Sequence, residues 1–172
     1  MSQTKHRLED VNRMDEPTFV SRFGSVYEHS AWVAEAAWRH RPFASVDQVH
    51  GVMDSIVEGA GHSRQMALIK AHPELAARLA SSGQLTAESR SEQAQAGLTS
   101  LSDNLTKRML ELNSSYQKKF GFPFIICARL NNVATILQAM ENRLTNHGET
   151  EFKTALQEIS KIARLRLTDI IV

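Results

Sequence analysis

The feature that most constrains the fold is a helical period in the apolar residues that never gives way to alternation. Leu98, Leu101, Leu105, Met109, Leu112 and Tyr116 recur at spacings of three and four, which sets one face of an α-helix against a core. Val49, Val52, Met53, Ile56 and Val57 do the same, as do Phe152, Leu156, Ile159, Ala163, position 166 and Ile170. No segment of any length shows the period of two that a half-buried strand requires. The breaks at Arg41-Pro42-Phe43, Gly59-Ala60-Gly61, Ser81-Ser82-Gly83, Gly97 and His147-Gly148 are short. The expectation is an all-α, single-domain helical bundle of about eight or nine helices over residues 1–172, with 1–7 frayed.

Local signals place the helix ends. Leu8 to Met14 reads as a short helical turn, and Asp15-Glu16-Pro17 as a capped start with proline in the first turn. Ser30 is expected to cap a helix from Ala31 to about His40, Ser45 to open the next, and Ser63 to start another. Pro73 disfavours helical geometry at His72, so His72 belongs at a junction, with a second helix running on through Leu75 and Leu79 to Gly83. Lys118-Lys119 suits the negative end of the helix before Gly121.

The most apolar run is Phe120-Gly121-Phe122-Pro123-Phe124-Ile125-Ile126-Cys127-Ala128. Ile126, Leu130, Val133, Leu137, Met140 and Leu144 follow at helical spacing, which predicts a long buried helix starting just after Pro123. Its first N–H groups would form a site for an anion or a developing oxyanion. The alternative, which the physics of the run alone favours, is a rigid hydrophobic turn that only anchors the core.

Composition narrows the function classes. With 20 basic and 19 acidic side chains the net charge is +1, and no basic block marks a nucleic-acid partner. No apolar run approaches a membrane span. The single cysteine, Cys127, fits a reducing compartment, and the cytoplasm is the simplest location. The histidines show no metal-ligand spacing, and there is neither a phosphate loop nor a nucleophile elbow.

Few residues stand out as carriers of chemistry. Arg166 lies on the apolar stripe of the last helix, where a buried guanidinium needs a partner. That partner is either a protein carboxylate or a ligand carboxylate held by two parallel hydrogen bonds, unless the side chain snorkels to solvent. Arg164 shares a polar face with Lys153, Gln157 and Ser160 and reads as solvated. Ser89-Arg90-Ser91-Glu92 matches a capping box, so Glu92 is either a cap or a carboxylate that handles a proton. Gln93 is either an amide that reads a ligand edge or a surface residue. His72 is one of seven histidines, but its junction position favours a cleft, and imidazole suits proton transfer near neutral pH.

Taken together, these stretches resemble the 2-oxo-4-hydroxy-4-carboxy-5-ureidoimidazoline (OHCU) decarboxylases of the urate-to-allantoin pathway. The resemblance rests on Val26-Tyr27-Glu28-His29-Ser30 with Trp32-Val33-Ala34-Glu35, on His72-Pro73-Glu74-Leu75-Ala76, and on Ser89-x-x-Glu92-Gln93-x-x-Ala96-Gly97-Leu98. It continues with Leu112-Asn113-x-x-Tyr116, Lys119 to Arg129, and Leu165-Arg166-Leu167-x-Asp169-Ile170. Ala31, where proline is expected, and Leu130-Asn131-Asn132 depart from the pattern.

The resemblance implies a homodimer without metal or organic cofactor that converts OHCU to (S)-allantoin and CO₂. It implies that His72 and Glu92 are catalytic and that Arg166 binds substrate. Pro73, the segment Ser89, Arg90, Ser91, Glu92 and Gln93, and the segment Phe124, Ile125, Ile126, Cys127 and Ala128 would line the site. The competing expectations are a helical interaction module without catalysis, and a decarboxylase or hydrolase of a related ureido acid.

Overall fold

The computed structural model describes residues 5–75, 86–98 and 100–172. Among them are nine α-helices, one 3-10 turn and no strand beyond an isolated parallel bridge between His6 and Ile171. The all-α expectation holds. The chain divides into two compact units, 1–71 with 160–172, and 72–159.

The first unit contains α1 (Leu8–Arg13), α2 (Glu16–Phe23), α3 (Trp32–Trp38), α4 (Val46–Gly59), α5 (His62–Ala71) and the C-terminal part of α9 (Gly148–Ile170). Asp15 caps α2 by accepting from the Thr18 N–H at 2.9 Å, and Ser45 caps α4 through the Gln48 N–H at 3.1 Å. Phe19 packs tilted on Phe23 and stacks on Phe43, with centroids 4.6 and 6.3 Å apart, and the buried Val11, Val49 and Met53 add to the core. Helices α2, α3 and α4 pack in sequence.

Two local expectations fail here. Ser30 does not cap α3 with its hydroxyl; its backbone carbonyl accepts from Val33 N–H at 3.1 Å, because the chain turns through His29 at φ 47° and starts the helix at Trp32. Residues 5–7 are not frayed. His6 donates to the Ile170 carbonyl at 2.7 Å and accepts from Val172 N–H at 2.9 Å, so main-chain bonds hold this stretch to the C-terminus.

The second unit contains α6 (Ala87–Gln95), α7 (Asp103–Phe120), the 3-10 turn Ala128–Leu130, α8 (Val133–Arg143) and the start of α9. The helix expected through Leu79 to Gly83 lies outside the described residues. Ser102 caps α7, so Leu98 and Leu101 precede that helix rather than belong to it. Gly121 ends α7 at φ 77°, a left-handed conformation that glycine adopts without steric cost.

The largest departure follows Pro123. No helix starts there: residues 124–127 are irregular, Cys127 is extended, and α8 begins only at Val133. The reason is a better start further on. Asn132 and Thr135 form a reciprocal capping box, the Asn132 side chain accepting from Thr135 N–H at 3.0 Å and the Thr135 hydroxyl from Asn132 N–H at 2.9 Å. Leu130, expected on the buried face, is 61 % exposed.

Candidate active site

Proline sets the first segment. Helix α5 ends at Ala71, and His72 sits at a bend with only 7 % exposure. Two carbonyls tether the residues that follow: Glu74 O accepts from Gln93 Nε2 at 3.4 Å, and Leu75 O from Asn113 Nδ2 at 2.9 Å. The His72-Pro73 junction is therefore held against α6 and α7 by buried side-chain amides.

Helix α6 supplies the second segment. Its cap is Thr86, whose hydroxyl accepts from Ser89 N–H at 3.2 Å. The helix thus begins three residues earlier than the Ser89–Glu92 pattern suggests, and the capping-box role for Glu92 fails because that residue lies inside the helix. Ser89 and Gln93 are buried one turn apart with half-buried Glu92 beside them. Arg90 and Ser91 are exposed on another face, and the Ser91 hydroxyl accepts from Gln95 Nε2 at 3.3 Å. Both were expected at the site; the structure does not bring their side chains to the buried face, because the helical turn rotates them away from it.

The third segment is Phe124–Ala128, every residue of which is buried. Phe124 packs edge-on to Tyr116 at 5.1 Å, and the Arg143 guanidinium lies 4.3 Å from its ring centroid. The oxyanion site expected from a helix start is absent here, since no helix starts. The Cys127 N–H instead donates to Glu158 Oε2 at 2.8 Å. Helix α6 packs against the 3-10 turn that ends this segment. Burial first, then the charges of Glu158 and Glu92, push the Cys127 thiol above its ordinary value.

Sequence reasoning assigned no role to the charged cluster behind the segment. Glu151, fully buried, takes Arg143 Nε at 2.9 Å and Nη2 at 2.8 Å, Asn146 Nδ2 at 2.8 Å, and the Tyr116 hydroxyl. Arg143 Nη1 donates to the Ile125 carbonyl at 2.7 Å. Burial raises the Glu151 carboxyl pKa, but the bonds from Arg143, Tyr116 and Asn146 outweigh it and hold it below the ordinary value. Burial, then the bond to Glu151, push the Tyr116 hydroxyl up. The available signal was the spacing of Glu151, Ala155, Glu158 and Ile162, a helical stripe one residue out of step with the apolar one at Phe152 and Leu156.

In the first unit Arg166 is 4 % exposed and Glu28 1 %. Arg166 Nη1 donates to Glu28 Oε2 at 2.9 Å and to the carbonyls of Ser25 and Val26 at 3.2 and 3.3 Å. Of the partners weighed from sequence, the protein carboxylate is present, and it is Glu28. Arg164, by contrast, pairs with Asp47 at 2.6 Å with its side chain 50 % exposed, as its polar face implies. A separate open cleft of about 640 Å³ lies along α4, lined by His40, Gln48, Gly51, Val52, Ser55 and Ile56; none of the expected site residues lines it.

The family model described as OHCU decarboxylase matches residues 12–168. The chain is 44 % identical over 162 residues to the 2-oxo-4-hydroxy-4-carboxy-5-ureidoimidazoline decarboxylase of Haloferax volcanii, covering 94 % of each chain. It is 41 % identical over 161 residues to the mouse (Mus musculus) protein of that name, covering 94 % of this chain and 90 % of that one. Among solved structures, (S)-allantoin synthase superposes with a TM-score of 0.78 at 29 % identity, over 96 % of this chain and 54 % of that one. An OHCU decarboxylase crystallised in the presence of (S)-allantoin gives 0.66 at 26 % identity, over 83 % of this chain and 92 % of that one. With the family model spanning nearly the whole chain and full-length relatives this similar, the chain belongs to the OHCU decarboxylase family.

Proposed function

We propose that the chain decarboxylates OHCU to (S)-allantoin and CO₂ in urate degradation, with His72 and Glu92 as the proton-handling pair. The carrying observation is the Gln93–Glu74 bond: it ties the chain just after the His72-Pro73 junction to the helix that bears Glu92, and that helix packs against the 3-10 turn Ala128–Leu130. Loss of CO₂ leaves an electron pair that delocalises into the ring and its oxygen. Aimed N–H donors in a dry site stabilise that charge strongly, and the apolar wall of Phe122 and Phe124 excludes water. His72 acts as the acid–base group, Glu92 orients it or the substrate hydroxyl, and protonation from one face yields one enantiomer.

The resemblance gives Arg166, whose guanidinium Glu28 holds, the role of binding a substrate carboxylate or ureido group. It likewise gives Gln93, Ser89, Pro73 and the Phe124–Ala128 backbone a substrate-binding role. The resemblance supports a homodimer without metal or organic cofactor, and the single cysteine supports a reducing compartment, the cytoplasm. Among the described residues, no helix is long and apolar enough to cross a membrane.

The test is chiral analysis of product from freshly generated OHCU, in buffer with EDTA, with spontaneous decay subtracted. The expected product is (S)-allantoin in excess at an enzyme-dependent rate. Racemic product at the background rate would refute the proposal.

A further inference from the structure

We propose that Glu158 and the Arg143–Glu151 pair are positioning residues that together fix the peptide edge of Ile126 toward substrate. The inference deepens the reading above, since it takes Phe124–Ala128 as a wall of the site. Two consecutive peptide groups are pinned by buried charge. The Ile125 carbonyl accepts from Arg143 Nη1 at 2.7 Å, and the Cys127 N–H donates to Glu158 Oε2 at 2.8 Å.

A trans peptide is planar, with its C=O and N–H pointing in opposite directions. Holding the Ile125 carbonyl on Arg143 therefore turns the Ile126 N–H away from Arg143. Holding the Cys127 N–H on Glu158 turns the Ile126 carbonyl away from Glu158. Neither Ile126 group is bonded among the described residues, which leaves one donor and one acceptor, one residue wide, for a ligand with adjacent polar atoms such as a ureido or ring amide. The Cys127 N–H is committed to a carboxylate and is not the oxyanion donor; the Ile126 N–H is.

The pins are rigid for physical reasons. Glu151 and Glu158 stand seven residues apart on α9, about two turns, and so share a face. The Arg143 guanidinium is a planar fork, gripped by Glu151 at 2.8 and 2.9 Å and laid over the Phe124 ring. A donor for developing charge must be oriented before the reaction, because reorientation in the transition state is the cost that preorganisation removes.

The test compares four proteins: wild type, Glu158→Gln, Glu158→Leu and the double variant Arg143→Met/Glu151→Gln. Gln keeps an acceptor for the Cys127 N–H and Leu keeps only bulk; the double variant releases the Ile125 carbonyl without stranding a buried charge. Steady-state kinetics with OHCU should show kcat within about threefold of wild type for Glu158→Gln. For Glu158→Leu and the double variant, kcat should fall about 30-fold or more, with KM changed several-fold at most, in line with loss of an oriented donor. Leu and Gln variants with equal kcat would overturn the inference.

Amide hydrogen exchange separates this from the parent reading. In the wild type the Cys127 amide should exchange much more slowly than that of Ile126, whether or not the protein turns over OHCU. Fast exchange at Cys127 sinks the positioning idea even if an activity-bearing variant fails to fold. A protected Cys127 in a wild-type protein without OHCU turnover would sink only the assignment of the reaction.

Discussion

Arg166 Nη1 lies 2.9 Å from Glu28 Oε2, with both side chains almost fully buried. A buried ion pair adds little net stability, because desolvation offsets attraction, yet removing one partner is costly. Such a pair is best understood by what it orients. Here the carboxylate and two backbone carbonyls converge on one terminal nitrogen of a planar fork, which sets the plane of the guanidinium.

The first prediction compares two arginines on α9. Arg166→Lys keeps the charge but removes the planar fork proposed to hold substrate, so affinity for (S)-allantoin should fall by roughly 1.5–3 kcal/mol. Arg164→Lys alters a half-exposed pair with Asp47 and should change affinity by less than ~0.5 kcal/mol. Calorimetric titration of both variants decides the matter; equal losses would mean the wrong arginine was chosen.

Glu92 offers a cleaner test than its sequence context suggests. Because Thr86 caps α6, Glu92→Gln leaves the helix start intact, and the melting temperature should move little. Turnover should nevertheless drop by about 10²-fold, the low end for a positioned proton-handling group. A large fall in melting temperature with near wild-type turnover would make Glu92 structural.

His72 follows the last residue of α5 and precedes Pro73, so its side chain belongs to no helix face. His72→Asn should keep the far-ultraviolet circular dichroism spectrum of the wild type. Its turnover, corrected for spontaneous decay, should be lower by ~10²–10⁴-fold, with allantoin affinity less affected. A folded variant that turns over like wild type would move proton transfer to Glu92.

The folded chain holds the Glu151 carboxyl below its ordinary value of 4.5. A depressed folded value means that the stabilisation is complete above the unfolded value and is lost as pH falls through the folded one. The stability advantage of wild type over Glu151→Gln should thus be constant near neutrality and shrink below about pH 4.5. Urea melts at pH 7 and pH 3.5 check this; an advantage that grows on acidification would reverse the sign and reject the argument.

Much of this architecture was legible in the sequence because helix ends carry local signatures. Asp15, Ser45 and Gly121 announce themselves by residue type and occupy the predicted positions. The failure after Pro123 arose where two local signals competed: apolar spacing from Ile126 onward against Asn131-Asn132, which is an N-cap signal. The cap won, because a segment whose peptide groups bond to Arg143 and Glu158 can be buried without forming a helix. The pairing roles of Glu28, Arg143, Glu151 and Glu158 escaped notice for one shared reason. A charged side chain reads as solvent-facing until its partner, distant in sequence, is known.

The lone cysteine has a further use. Cys127 is buried, and its thiol is pushed up in pKa, so little reactive thiolate meets the solvent while the segment stays closed. Modification by a small alkylating reagent then requires the wall to open, and with reclosing fast the labelling rate reports the free energy of that opening. The protein thus carries its own gauge of breathing at this wall, readable by mass spectrometry without an engineered probe.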